Sequence, residues 1–244
     1  MDARDARARI PEDTSSDGDA AFARSGVIRR RQRLVGRVLG AAGLTAAVGG
    51  IVLLGTGYTT ATVAGDSMNP TYPQGDRVFF ERIEAGEVER GDVVLHRAED
   101  RNGIRLLLRR VIGMGGDHVR QGPGGPVTVN GVPLTEPYVK DGDPSGVPVA
   151  YDVVVPEGML FLLGDHRANS LDSRFSLDEQ SGGVAATAVE ARALENRTGL
   201  LLLVLTALCG LLGTVGGLAI EIASRAARRE SPYLHPPAPT GPGR

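Results

Sequence analysis

Two long uncharged runs stand out in the pattern of hydrophobic and polar positions along the chain. They cover residues 38–57 and 199–220. A run of about 20 apolar residues forms a helix roughly 30 Å long, which matches the hydrocarbon core of a bilayer. The pattern therefore predicts two transmembrane helices, at 38–57 and 199–220, and a lipid bilayer as a partner.

The first run has two alternative interpretations. Alanine and glycine make it only mildly hydrophobic, so a buried helix of a soluble protein would show a similar pattern. A cleaved signal peptide also has a basic region before an apolar one, but its apolar region usually spans about 7–15 residues. Cleavage would also leave Ser67 almost at the new N-terminus. The sequence therefore favours an uncleaved signal anchor.

Between the two runs, short β-branched and aliphatic segments alternate with Gly, Asp and Pro. We predict strands at 76–83, 92–97, 104–112, 117–120, 127–132, 150–155 and 159–163. The dipeptide Asn130-Gly131 is the strongest short signal for a hairpin turn. The pattern predicts an all-β domain of the sandwich or barrel-like type, flanked by the two transmembrane helices.

Charge is distributed unevenly along the chain. Residues 1–37 carry nine arginines against six acids and residues 221–244 carry four against two, whereas 58–198 has fourteen basic groups against twenty-one acids. Positive charge accumulates on the cytoplasmic side of membrane proteins. We therefore predict a two-pass protein of the cell membrane. Its tails, a mostly disordered 1–37 and 221–244, lie in the cytoplasm, and its β domain, 58–198, lies outside the membrane.

Composition narrows the functional classes. The net charge of −2 argues against a nucleic-acid partner. Cys209 is the only cysteine, so no disulfide can form within the chain. No paired His or Cys spacing predicts a metal site, and no cofactor is expected. The GxxxG pairs Gly36/Gly40 and Gly213/Gly217 are compatible with helix–helix pairing in the membrane.

Three stretches carry candidate chemistry. Residues 64–76 (AGDSMNPTYPQGD) predict a rigid, kinked loop, and such a turn can display the hydroxyl of Ser67 as a nucleophile. The other two are LLRRVIGMGGD at 107–117 and GDHRANSLDSR at 164–174. In this order and at these separations, the three resemble the sequence boxes of bacterial type I signal peptidases, which are membrane-bound serine endopeptidases with a Ser/Lys dyad. The resemblance extends from residue 64 to about residue 193.

The resemblance implies a function and a substrate class. Ser67 would be the nucleophile, its backbone N–H would help to bind the oxyanion, and Met68 would shape the turn. In some relatives a serine two residues before the nucleophile supplies a second oxyanion donor, and Gly65 occupies that position here. The substrates would be the signal peptides of exported preproteins, with small residues at the cleavage point.

The third box would support the general base. Its family pattern is Gly-Asp-x-Arg, then Ser, then Asp-x-Arg, which matches GDHRANSLDSR. By resemblance, Ser170 would bond and orient the base, while Asp172 and Arg174 would form an ion pair that fixes the loop. Asp165 in this box and Arg110 in the second match further positions of the family pattern.

The chain departs from the family at the base itself. The family has a lysine two positions before Val-Ile-Gly, and Arg109 stands there. A buried lysine readily loses its proton, whereas arginine, with a pKa above about 12, does not. Arg109 can position a group or stabilise charge, but it cannot accept the proton of Ser67. General bases contribute about 10²–10⁴ in rate, so this position bears directly on activity.

Three hypotheses follow from the departure. Another group supplies the base and the protein is an active peptidase; the candidates are His166 and Lys140, the only lysine. Alternatively, the chain is a homologue that binds preproteins or partners without cutting them. The third hypothesis is an unrelated membrane protein with a β domain. The remaining histidines of the β domain, His96 and His118, are predicted to be surface residues.

Overall fold

The computed structural model describes residues 15–100, 103–147 and 149–229. The chain divides into two compact units. One comprises the residues up to 51 and from 202 onward and contains most of the two long helices, and the other is Val52–Leu201, which contains the strands. Parts of both predicted tails, 1–14 and 230–244, lie outside the described residues.

Two helices, α1 (Ser15–Gly57) and α2 (Thr198–Arg229), contain the predicted apolar runs. Within them, Arg30–Gly57 and Thr198–Ala226 are long and apolar enough to cross a membrane. Most of their leucine, valine and isoleucine side chains are exposed, unlike those of a helix in a soluble core. Helix α1 begins inside the predicted disordered tail, because alanine and arginine are good helix formers and extend the helix from the apolar run.

The helices α1 and α2 approach each other closely through glycines. A Cβ atom added at Gly43 would lie 2.6 Å from the carbonyl oxygen of Gly210, and one added at Gly217 would lie 2.5 Å from that of Gly36. Such distances are below any normal van der Waals contact, so larger residues would push the helices apart. All four glycines of the two GxxxG pairs lie at this contact, Gly36 and Gly40 next to Gly217 and Gly213 next to Gly43.

The strands form two antiparallel sheets. The seven-stranded sheet has the order β1-β2-β11-β3-β4-β9-β10 and the four-stranded sheet has the order β7-β6-β5-β8. The strands are β1 (Tyr58–Thr62), β2 (Arg77–Arg82), β3 (Val93–Asp100), β4 (Gly103–Met114), β5 (His118–Gln121), β6 (Val127–Val129), β7 (Val132–Pro133), β8 (Tyr151–Val154), β9 (Met159–Leu163), β10 (Val184–Ala185) and β11 (Val189–Ala193). Asn130 and Gly131, both with positive φ, join β6 to β7 as the predicted hairpin turn.

A common core packs the small sheet against one face of the large one. Phe161 and Leu163 from β9 contact Val119 and Val129 from the small sheet, together with other buried side chains. The opposite face of the large sheet buries a second cluster that includes Val111 of β4. The part of β4 from residue 109 to residue 113 is therefore covered on both sides, and the alternation of the strand sends successive side chains to opposite faces.

The prediction of an all-β fold holds only for part of the chain. The domain is mostly sheet, with short 3₁₀ helices between its strands, but α1 and α2 contain 43 and 32 residues. The chain is therefore better described as a mostly-sheet domain with two long apolar helices.

Candidate active site

Ser67 lies in a loop that is fixed at both ends. The loop joins β1 to β2, and its ends are tied by hydrogen bonds from the Val63 N–H to the Asp76 carbonyl and from the Gly75 N–H to the Val63 carbonyl, each 2.9 Å long. The side chain of Met68 is buried at 1% exposure among the core side chains beneath the loop. Met68 therefore anchors the turn, while Ser67 itself stays half-buried.

The side chain of Arg109 reaches Ser67. Strand β4 pairs Arg109 with Val94 of β3, and the alternation of the strand sends Arg109 and Arg110 to opposite faces of the sheet. The Nη1 atom of Arg109 donates to Ser67 Oγ over 2.7 Å and to the Leu108 carbonyl over 2.6 Å. The two residues that the resemblance pairs are thus in contact, with arginine as the hydrogen-bond donor.

Burial lowers the pKa of Arg109, and the charge of Asp172 opposes this shift. An arginine side chain nevertheless remains protonated in proteins. In this arrangement Ser67 Oγ accepts a hydrogen bond from Arg109, whereas a general base would have to accept the proton of Ser67. Arg109 is therefore placed as a hydrogen-bond donor to Ser67 Oγ and not as an acceptor of its proton.

The resemblance implied that Ser170 orients the side chain at position 109, but the structure shows no hydrogen bond between them. Its Oγ is buried without a hydrogen-bond partner in the described part of the chain. Arg109 is held instead by the carbonyl of Leu171, to which its Nη2 donates over 2.8 Å. A Cβ atom added at Gly164 would lie 2.3 Å from Ser170 Oγ and 2.6 Å from the Ser67 carbonyl, so Ser170 is still next to the Ser67 backbone.

Two buried ion pairs hold the third box in place. Asp165 accepts from Arg110 Nε over 2.9 Å and from Nη2 over 2.7 Å, which ties the box to β4. Asp172 accepts from Arg174 Nε over 2.8 Å and from Nη2 over 2.9 Å, and both of these side chains are 0% exposed. Such two-point contacts of arginine with carboxylate fix geometry as well as charge.

The two candidate substitute bases contact Asp66 and not Ser67 Oγ. His166 Nδ1 lies 2.8 Å from Asp66 Oδ2, and Lys140 Nζ lies 3.7 Å from the same oxygen. A hydrogen bond from Asn69, bonding to His166 and the charge of Lys140 together lower the pKa of Asp66. The backbone N–H of His166 donates to the Ser67 carbonyl over 3.0 Å, so this residue supports the loop. Neither side chain is placed as a base in this structure.

His96 was predicted to be a surface residue, and this is wrong: it is 5% exposed. It lies on β3, on the same face as Val94 and therefore as Arg109. Burial lowers the pKa of His96 to about 4, a hydrogen bond to the Arg97 carbonyl opposes this shift, and the charge of Arg109 adds to it. His96 directly follows the apolar run of residues 93–95, which are all buried, and this position was the signal that sequence reasoning missed.

His96 makes the stability of the domain depend on pH. Its folded pKa of about 4 lies below the unfolded value of roughly 6.5, so the unfolded chain binds the proton first. Stability is full above roughly pH 6.5 and falls as the pH drops toward 4, by about 2 kcal/mol between pH 6.5 and 5. Denaturation of the full chain in detergent at pH 7 and 5 should show this loss, and His96→Gln should remove it. An equal loss in the variant would contradict it.

A groove of about 920 Å³ begins at Arg109 and runs along β3 and β4. Its lining near Arg109 includes Leu107, Leu162 and Leu171, and its opposite wall is formed by residues 176–184. Its volume is enough for several peptide residues, and residues of β3 and β4 line one of its sides. Ser67 meets Arg109 at one end of it.

Comparison with known proteins identifies relatives of the chain. The family model "Signal peptidase, peptidase S26" matches residues 29–196. Signal peptidase I of Bacillus licheniformis is 37% identical over 124 residues, which is 47% of this chain and 65% of that protein. Signal peptidase I T of Bacillus subtilis (strain 168) is 36% identical over 124 residues, again 47% of this chain and 63% of that protein.

A crystal structure of a signal peptidase I from Enterococcus faecalis V583 aligns with 43% of this chain and 96% of its own, at 26% identity and a TM-score of 0.34. The family assignment rests on the sequence matches and not on this superposition. The chain spans 65% or less of the length of the two Bacillus relatives. Because the family model covers more than half of the sequence, the chain belongs to the type I signal peptidases of the peptidase S26 family.

Proposed function

We propose that this chain is a membrane-bound serine endopeptidase of the signal peptidase I type that acts on the signal peptides of exported preproteins. The observation that carries the proposal is the contact between Ser67 Oγ and the side chain at position 109, at the end of a peptide-sized groove. Family membership supports the reaction class. The buried ion pairs Asp165–Arg110 and Asp172–Arg174 support a preformed site.

The nucleophile and an oxyanion donor for acyl transfer each have a candidate group in this site, whereas the general base does not. Ser67 Oγ attacks the scissile carbonyl, and the Ser67 N–H, which has no acceptor among the described residues, donates to the oxyanion. The cationic Arg109 stabilises negative charge that develops at Oγ. No described side chain in contact with Oγ can accept its proton, so cleavage is expected to be slow by about the 10²–10⁴ that a general base contributes.

A second candidate function is binding of preproteins or partners without cleavage. The donation from Arg109 Nη1 to Ser67 Oγ favours it, because this contact stabilises the serine as an acceptor and offers no base. The two functions share the groove and differ only in turnover.

Cleavage of a preprotein by the purified full chain in lipid vesicles tests the proposal. We expect slow cleavage that Ser67→Ala abolishes while leaving the fold and membrane insertion intact, since only one oxygen is removed from a half-buried turn. Cleavage at an unchanged rate in Ser67→Ala would exclude Ser67 as the nucleophile. Binding of the preprotein without any cleavage by the wild type would favour the second candidate.

The two apolar helices and the charge distribution support a two-pass topology with the domain outside. The proposed segments are those predicted from the sequence, with tails at 1–37 and 221–244 in the cytoplasm. Protease added outside intact cells should cut within 58–198 and leave both tails protected. Labelling of residues 2–25 from outside would show that the proposed orientation is wrong.

A further inference from the structure

Arg109 is a buried cation without a carboxylate in contact among the described side chains. The residue is 6% exposed, and its acceptors, Ser67 Oγ and the carbonyls of Leu108 and Leu171, are all neutral. Asp172, whose charge acts on Arg109, is engaged in two bonds by Arg174. A buried charge without an opposite charge is unfavourable, and arginine cannot relieve this by losing its proton. The site therefore holds an uncompensated positive charge.

The same place offers hydrogen-bond donors that are not used. A guanidinium has five N–H donors. Three of those on Arg109 meet acceptors in the described structure, Nε is enclosed without one, and one N–H of Nη2 remains. Because Ser67 Oγ accepts from Arg109, its own proton remains available to another acceptor, and so does the Ser67 N–H. Donors without acceptors around a positive charge are suited to an anion.

The lining of the groove indicates that the anion is a group on a peptide. Leucines flank Arg109, and farther along the lining carries Arg97, Glu99, Arg105 and Glu179, two of each sign. These four distal charges balance, and Asp172, which also lines the groove, is paired with Arg174, so Arg109 remains a cation of the lining without a contacting carboxylate among the described residues. An apolar chain that ends in a carboxylate would match both features.

We propose that the Ser67–Arg109 pair binds the C-terminal carboxylate of a peptide whose last residues lie in the groove. The inference rests on the proposed function in one respect, that the groove takes a peptide. Hydrolysis of a preprotein leaves such a carboxylate on the released signal peptide. A lysine at this position can become neutral when buried, whereas arginine keeps the charge that retains the carboxylate.

Matched peptides test this directly. The probes are an acetylated apolar nonapeptide ending in Ala-Ser-Ala as the free acid and the same peptide as the C-terminal amide, titrated calorimetrically into the detergent-solubilised full chain at about pH 7. The acid should bind about 10- to 100-fold more tightly than the amide, as expected for loss of a hydrogen bond to a charged group. In Arg109→Met, which keeps length without charge, this ratio should fall to about one, while Ser67→Ala should retain most of it.

The outcomes separate this inference from the proposed enzyme activity. If the wild type binds the acid and the amide with equal affinity, the inference is wrong, and no variant is needed to show it. This holds even if the wild type cleaves a preprotein. A preference that persists in Arg109→Met also overturns it, because the charge then lies elsewhere. Acid-selective binding that depends on Arg109, in a protein that cleaves no preprotein, confirms the carboxylate site and refutes the peptidase.

Discussion

Replacing Arg109 by lysine should raise the rate of preprotein cleavage by about 10²–10⁴-fold, the contribution of a general base. The position is 6% exposed and touches no carboxylate among the described side chains, so burial disfavours the charged form of a lysine and lowers its pKa toward neutrality. A neutral lysine amine can accept the proton of Ser67. Its nitrogen lies one bond short of the guanidinium Nη atoms, and the unpartnered Ser170 Oγ is a candidate to orient it.

The matched control for this prediction is Arg109→Gln, which removes the charge without supplying a base. Both variants should be compared with the wild type at roughly pH 7 and 9, on either side of the expected titration of a buried lysine. Arg109→Lys should gain activity and Arg109→Gln should not. If the wild type already cleaves rapidly, is unaffected by Arg109→Lys and is inactivated by His166→Ala, then His166 is the base and the role assigned here to Arg109 is wrong.

Asp172→Asn should destabilise the domain by about 3–5 kcal/mol, the usual effect of removing one partner from a buried ion pair. Both side chains of the Asp172–Arg174 pair are 0% exposed, so the substitution leaves the charge of Arg174 buried without its carboxylate. Asp172 also accepts from the Gly164 N–H over 3.1 Å, at the start of the box that lies against Ser67. Chemical denaturation of the full chain in detergent, followed by near-ultraviolet circular dichroism of its tyrosines, measures the loss.

A double variant isolates the charge from the packing. Asp172→Asn combined with Arg174→Met buries no charge at the pair, so it should be less destabilised than Asp172→Asn alone. A loss below about 1 kcal/mol in the single variant, as is common for exposed ion pairs, would show that the pair is not a buried support of the site.

The sequence predicted most of the strands but missed β1, β10 and β11. The omission of β11 has a physical reason. The predicted strands correspond to β2 through β9, whose valines and leucines alternate or run together. Strand β11, with the sequence VEARA, buries Val189, Ala191 and Ala193 but contains residues that are uncommon in strands. Its central position between β2 and β3 depends on pairing with distant segments, which local pattern does not reveal.

The site was predictable as a set of residues but not as a network. The resemblance to the signal peptidase boxes implied in advance that Ser67 and position 109 lie together, and it also implied the Asp172–Arg174 pair. The orphaned hydroxyl of Ser170 and the attachment of Arg109 to the Leu171 carbonyl depend on how a planar guanidinium fills a pocket. His166 and Lys140 converge on Asp66 because the loop 64–76 turns that carboxylate toward both of them.

Mass spectrometry of a preprotein incubated with the Arg109→Lys chain in lipid vesicles tests most directly that Ser67 is a nucleophile lacking only its base. We expect a single cut after a small residue at the end of the signal peptide, and no cut when Ser67→Ala is added to Arg109→Lys. The same cut in the double variant, or no cut by a folded Arg109→Lys chain that still binds the preprotein, would contradict it.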